Sequence, residues 1–243
     1  MNGLDVMLPF GERFFARAAR AALPGLADPV LIDQVKGFVA QEIHHAHQHE
    51  RTFAALDAMG LGATELAKRL EYLFGHYVEP RLPHRYQLAL VSAVEHFTAT
   101  LAEFLFTSEM VSDAEPRMRA LYVWHAAEEI EHKCVAFDLL RAVDDSYALR
   151  AAGIVLAFPL LMAFWYGAAI TFVLRDGPVR PWKAAGEYLR ALAGGRIPLL
   201  AMVTSVADYL RPGFHPSQHD NFFRARDLFG SAKAAPEEAL PRT

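Results

Sequence analysis

Between Val30 and Met59, the residues recurring at three- and four-residue spacing are Leu31, Val35, Phe38, Glu42, His45, His49, Phe53 and Leu56. At about 100° per residue they share one narrow stripe of an α-helix. The stripe is apolar at both ends, so it faces a core. Its middle is Glu-x-x-His followed by a further histidine. His44 and His47 fall on the opposite side, toward solvent. A fold that buries this helix must also bury something that neutralises its acid, because an isolated charge is expensive to remove from water.

Three other blocks carry the same kind of interruption. Between Asp113 and Val143 the stripe is Met118, Leu121, His125, Glu129, His132, Ala136 and Leu139. Glu128 lies at its edge, so Glu128 and Glu129 are hard to separate by angle alone, while Glu131 points further away. From His84 to about Val111, Glu95 sits among Leu88, Val91, Ala99, Ala102 and Phe106. In the first block, opened by Pro9-Phe10-Gly11 and closed near Leu23, Glu12 precedes Phe15, Ala16, Ala19 and Leu23. No lysine or arginine lies on these stripes near the acids, which makes bound cations the simplest source of neutralisation. Four carboxylates and two imidazoles suit two divalent metals. A Glu from each of two helices with Glu-x-x-His from each of the other two is a known bundle-core arrangement. Here the set is Glu12, Glu95, Glu42 with His45, and Glu129 with His132. His125 and His49 are further ligands or groups that tune them, and Glu128 is a supporting or alternative ligand.

The remaining sequence sets the frame. Gly60-Leu61-Gly62, Pro80 and Pro83 bound a shorter helix from Thr64 to Val78, and alternation of β-branched residues is scarce. The fold class is therefore all-α, a ferritin-like four-helix bundle over residues 1–148. Residues 149–230 form a hydrophobic helical extension. Ala151 to Leu174 is an uncharged run bracketed by Arg150 and Arg175, with the length of a membrane span. A weaker run covers Ile197 to Ala207, and Arg180-Pro181-Trp182-Lys183 between them suits a membrane interface. A helix buried in the protein or in a homo-oligomer is the competing reading. Residues 231–243 read as a disordered tail. A net charge of −4 argues against nucleic acid as a partner. The single cysteine, Cys134, excludes an internal disulfide framework and a thiolate-rich zinc site. Met1 to Leu23 lacks a secretory pattern, which places the catalytic part in the cytoplasm, at the inner face of a membrane if the apolar run docks there.

On these residues the chain resembles the ferritin-like family labelled predicted metal-dependent hydrolases. The likeness runs through Pro9-Phe10-Gly11-Glu12-Arg13-Phe14-Phe15, Gln41-Glu42 with His45 and His49, Glu95-His96-Phe97, Trp124-His125-Ala126-Ala127-Glu128-Glu129-Ile130-Glu131-His132-Lys133, and Arg211-Pro212-Gly213-Phe214-His215-Pro216. A looser likeness is to the di-iron arylamine N-oxygenases, which share the His-x-x-x-Glu-x-x-His pattern of His125, Glu129 and His132 and look to use the extra histidine as a seventh ligand. His49 departs from that pattern.

A carboxylate and imidazole set without thiolate favours iron, with manganese or zinc as alternatives. The first functional expectation is an oxygen-activating oxidase or oxygenase, acting on a small or lipid-like substrate and served by an electron donor. The alternative is a hydrolase that activates water with two metals. A third reading is a metal-storage or structural metal bundle. His215 and His219 have no assigned place at this level.

Overall fold

The computed structural model describes residues 2–177, 181–195 and 197–223. Among them are eight α-helices: α1 Asn2–Ala22, α2 Pro29–Ala58, α3 Ala63–Leu73, α4 His84–Thr107, α5 Pro116–Val143, α6 Tyr147–Arg175, α7 Pro181–Ala193 and α8 Leu199–Tyr209. The described residues contain no strand, so the all-α bundle expected from the periodicity is what forms. The tail 231–243 and Arg180 of the interface motif lie outside the described residues.

Local chemistry sets the helix starts. Asp28 accepts a hydrogen bond from the Val30 amide, with Pro29 in the first turn. Glu115 accepts from the Arg117 and Met118 amides ahead of Pro116, and Ser146 caps α6 through the Leu149 amide. One boundary differs from the sequence expectation. Pro9 does not open α1 but lies inside it. The missing Pro N–H leaves one helical bond unmade, yet Leu4, Val6 and Met7 are buried on the preceding turns. Their packing carries the helix through the proline. The third helical block reaches Val78 as expected, but its last part, Phe74–Val78, widens from α3 into a π-helical turn before a 3-10 turn over Glu79–Arg81.

Helices α1 and α2 pack as one hairpin, α4 and α5 as another, and the two face each other through α2 with α5 and α1 with α4. The main core runs from Phe14, Val35 and Phe38 through Leu88, Phe97 and Leu139, and it continues into Ile154 and Leu161 of α6 and Met202 and Tyr209 of α8. Helix α6 reaches the bundle at two close approaches. A Cβ at Gly153 would fall 2.5 Å from the Ala89 carbonyl oxygen of α4, and one at Gly3 would fall 2.9 Å from the Ala169 nitrogen of α6. Any side chain there would force the helices apart. Arg150 donates to the carbonyls of Tyr209 and Arg211, which ties the start of α6 to the end of α8. Both α4 and α6 are long and apolar enough to cross a membrane by length and composition. The apolar window of α4 is 67% buried and that of α6 is 28% buried. Val155, Ile170, Val173 and Leu174 lie on the outward side of α6.

Candidate metal centre

The stripe on α2 is buried along its whole length, from Leu31 through Glu42, His45 and His49 to Leu56. His44 and His47 are exposed. On α5, His125, Glu129, His132, Ala136 and Leu139 are buried, while Met118 and Leu121 are half-buried. Glu12 of α1 and Glu95 of α4 complete the ring, at 1% and 0% exposure. The structure thus brings every acid and imidazole of the candidate set into one volume between four helices.

Two groups can be distinguished within it. Glu42, His45, Glu129 and His132 present ligand atoms within 4.8 Å of one another, as do Glu12, His49 and His125. In the first group, His45 Nε2 lies 2.7 Å from Glu128 Oε2, and His132 Nε2 lies 3.3 Å from Gln41 Oε1. Each ring therefore turns Nδ1 inward. His45 Nδ1 is 3.7 Å from Glu42 Oε1 and 3.6 Å from Glu129 Oε1. His132 Nδ1 is 2.7 Å from Glu42 Oε1 and 3.7 Å from Glu95 Oε2. None of these inward contacts has hydrogen-bond geometry. The geometry also separates the two adjacent acids: Glu129 points in, and Glu128 stands behind His45.

The second group is backed by a buried chain that starts at Asp5. Tyr122 Oη donates to Asp5 Oδ2 at 2.5 Å, and His49 Nδ1 lies 2.9 Å from Asp5 Oδ1. His49 Nε2 meets His125 Nδ1 at 2.7 Å, and His125 Nε2 meets Glu129 Oε1 at 2.8 Å and Glu12 Oε1 at 3.6 Å. The tautomers follow from the network. A carboxylate is an acceptor, so His49 donates to Asp5 through Nδ1–H and, without metal, His125 donates to Glu129 through Nε2–H. One proton is shared between His49 Nε2 and His125 Nδ1. A cation bound at His125 Nε2 would replace that Nε2 proton.

The electrostatics of the metal-free protein tell the same story. Burial holds the Glu12 carboxyl well above its usual range, with Glu42 and Glu129 adding to the effect against the opposing pull of His45. Burial, then Glu129 and Glu42, do the same to Glu95. Burial also pushes on Glu42 and Glu129, but His132 overcomes it at Glu42, and His125 and His132 overcome it at Glu129, so both are lowered. His45 is raised to about 10: burial opposes the charge, and the bond to Glu128 and the proximity of Glu42 prevail. His132 is raised by Glu42 and Glu129 despite burial. His125 falls to about 4, through burial and then its neighbour His45. Without metal, the shifts favour charged histidines beside ionised Glu42 and Glu129, and the protonated forms of Glu12 and Glu95.

Whether these residues fit divalent cations is decided by their unmet valences. Among the described residues, nine buried side-chain atoms lack a hydrogen-bond partner: both oxygens of Glu12, Glu42 and Glu95, Glu129 Oε2, His45 Nδ1 and His132 Nδ1. All nine belong to the six residues singled out by helical spacing. Buried polar groups are otherwise nearly always satisfied. The buried cations Lys133 and Arg150 do not reach them. Lys133 Nζ donates to the His219 carbonyl at 2.8 Å and to Asn221 at 2.6 Å, and Arg150 is held by α8 as described. Oxygen and nitrogen donors without thiolate fit divalent metals.

A family model described as a predicted metal-dependent hydrolase matches residues 1–220. The chain belongs to that family. The match covers the bundle and also α6 to α8, so the apolar extension is part of what defines a predicted metal-dependent hydrolase of this kind. No curated protein and no solved structure matches the chain, and the looser likeness to the arylamine N-oxygenases finds no support there. Between the two enzymatic expectations, the family description favours hydrolysis, the alternative, over oxygen activation, which stood first in the sequence.

Three residues of the centre were missed in the sequence. Asp5 lies beyond Pro9, which was read as the helix start. Once α1 runs through Pro9, Asp5 falls seven residues before Glu12 on the same face, and that spacing was the available signal. Tyr122 lies three residues before His125 and seven before Glu129 on the α5 stripe, so the same spacing was available for it, whereas Gln41 lies off the α2 stripe and entered only through the family likeness. His215 and His219 stand apart from the centre. His215 Nε2 lies 3.0 Å from Asp138 and His219 Nε2 3.3 Å from Asp208, pairs that fasten the turn after α8. His96, adjacent to Glu95, faces away from the centre and donates to the Ser205 carbonyl at 2.9 Å.

Proposed function

We propose that this protein is a hydrolase that uses two divalent cations, held by Glu12, Glu42, His45, Glu95, Glu129 and His132, with His125 Nε2 as a further ligand. The observation that carries this reading is the convergence of nine unpartnered acid and imidazole atoms in one buried volume. The family description supplies the reaction class. Such cations supply Lewis acidity toward a carbonyl or phosphoryl oxygen and lower the pKa of a water.

The chain's own contribution is orientation. Glu128 and Gln41 each fix a ring so that Nδ1 of His45 and His132 faces inward, the outer support that metal-binding histidines commonly have. Asp5 and Tyr122 do the same for His125 through His49, which makes His49 an orienting group in this reading rather than a direct ligand. Iron, manganese and zinc all suit the donor set, and hydrolysis needs no electron donor.

The test is turnover without oxygen. Protein reconstituted separately with zinc, manganese and ferrous iron should hydrolyse ester or phosphoester substrates anaerobically, and Glu129→Ala should abolish this. Oxygen consumption by the ferrous protein, with no hydrolysis under any metal, would restore the oxygen-activating reading.

A further inference from the structure

One cavity reaches the centre from the side, and its walls are apolar. It has a volume of about 90 Å³ and is enclosed by α1, α4, α5 and α6, with Leu4, Met7, Leu101, Leu105, Met110 and Leu161 on its walls and Glu12, His125 and Glu129 at one end. The two other polar side chains that border it have their hydroxyls committed: Thr98 donates to the Glu95 carbonyl at 3.1 Å, and Tyr122 to Asp5. Met7, Gly11 and Leu161 also border a second apolar cavity of about 50 Å³ among Phe10, Phe14 and Phe164. Apart from those two hydroxyls, a ligand entering this space meets hydrocarbon everywhere except at the acids and the imidazole.

We propose that this cavity holds the unbranched hydrocarbon chain of an acyl ester, with the ester group at Glu12, His125 and Glu129. The substrate class rests on the hydrolytic reading of the centre; the chain-binding role does not. In the reaction, water adds to the acyl carbon, the acyl C–O bond breaks, and the products are a carboxylate, an alcohol and a proton. The apolar walls give no partner to a sugar, a peptide or a second charged group, so polar acyl donors are excluded by unmet hydrogen bonds. Each methylene placed in the cavity should tighten binding by about fourfold, up to the length that fills it.

Gly11 offers a clean probe because it borders both cavities, and a Cβ there meets only Phe15 Cζ, at 4.0 Å. Gly11→Leu should fill the space without displacing backbone, and Leu105→Ala should enlarge it. The experiment has two parts on the metal-loaded full chain. The first is calorimetric titration with linear alcohols from butanol to decanol. The second is kcat/KM for acetyl, hexanoyl and dodecanoyl 4-nitrophenyl esters. Affinity and kcat/KM should climb with chain length in the wild type. Gly11→Leu should reduce the hexanoyl-to-acetyl ratio at least about tenfold at unchanged metal content, and Leu105→Ala should move the preference to longer chains. Chain-length-dependent binding without cleavage of any ester would leave the cavity assignment standing and overturn the hydrolytic reading. Ester cleavage indifferent to chain length and to both variants would overturn the cavity assignment and leave the hydrolytic reading standing.

Discussion

The two halves of the centre are built differently. The Glu42–His45–Glu129–His132 half is oriented from near the surface: Glu128 and Gln41, both half-buried, each hold one imidazole by one contact. The Glu12–His49–His125 half is oriented from the interior, where Asp5, at 1% exposure, is held by both Tyr122 and His49. In the first half, histidines and acids raise and lower one another in the metal-free protein, each favouring its partner's charged form. In the second, burial takes His125 down to about 4 and holds the Glu12 carboxyl well above its usual range. The contrast shows that one donor chemistry can be preorganised in two ways, and it predicts unequal responses to substitution.

Glu129 bridges the halves, contacting His45, His125 and His132, so its loss should have the largest effect. Glu129→Ala should lose both metals and reduce hydrolysis to background, checked by elemental analysis and turnover on the same preparation. Retention of one full metal equivalent would show that the halves are independent.

Asp5→Asn should come next. It weakens the anchor of the His49–His125 chain and should lower the affinity of one metal by roughly 10–100-fold, leaving the other near its original value. Competition against a chelator would resolve two classes of site. Glu128→Gln keeps a hydrogen-bonding group beside His45, at a half-buried position, so the same titration should show a smaller loss, at or below about tenfold.

Metal loading should release protons. Glu12 and Glu95 are raised above the ordinary carboxylate range, and His45, at about 10, and His132 are raised above the ordinary imidazole value. Each of these shifts favours the protonated form, whose proton ligation must displace. Affinity should therefore rise with pH across the neutral range. Calorimetry in two buffers of different ionisation enthalpy should give a positive count of released protons, and a count of zero would contradict the assigned protonation.

The smallest effect has the opposite sign from ordinary core damage. Glu95→Leu removes two buried, unpartnered oxygens. In metal-free protein it should stabilise by about 1–3 kcal/mol, or roughly 2–4 °C per kcal/mol in a chain of this size. It should do so while removing metal. Thermal melts with and without metal check this, and a large loss of stability without metal would mean that Glu95 serves packing instead.

The ring of ligands was legible because helical period alone places it. Each residue on the α2 stripe, from Leu31 to Leu56, is buried in the order that a 3.6-residue repeat dictates. Glu128 and Glu129 were not separable because adjacent residues differ by only about 100°, and both border the stripe. Packing decided between them by giving Glu128 to His45 Nε2. Asp5 was lost because proline is a strong local signal for a helix start, and the burial of Leu4, Val6 and Met7 outweighs it. The fate of Ala151 to Leu174 was not legible either. An uncharged helix has the same composition whether it lines a core or a surface, and only the close approaches at Gly153 and Gly3 reveal which side faces the bundle.

The most direct measurement is the metal content of the full-length chain beside its Glu95→Ala and Glu129→Ala variants, all purified from metal-supplemented cells. The account predicts about two divalent cations per chain in the wild type, with both lost in Glu129→Ala and at least one lost in Glu95→Ala. A wild-type chain that carries no metal, or variants that keep wild-type metal content and stability, would contradict it.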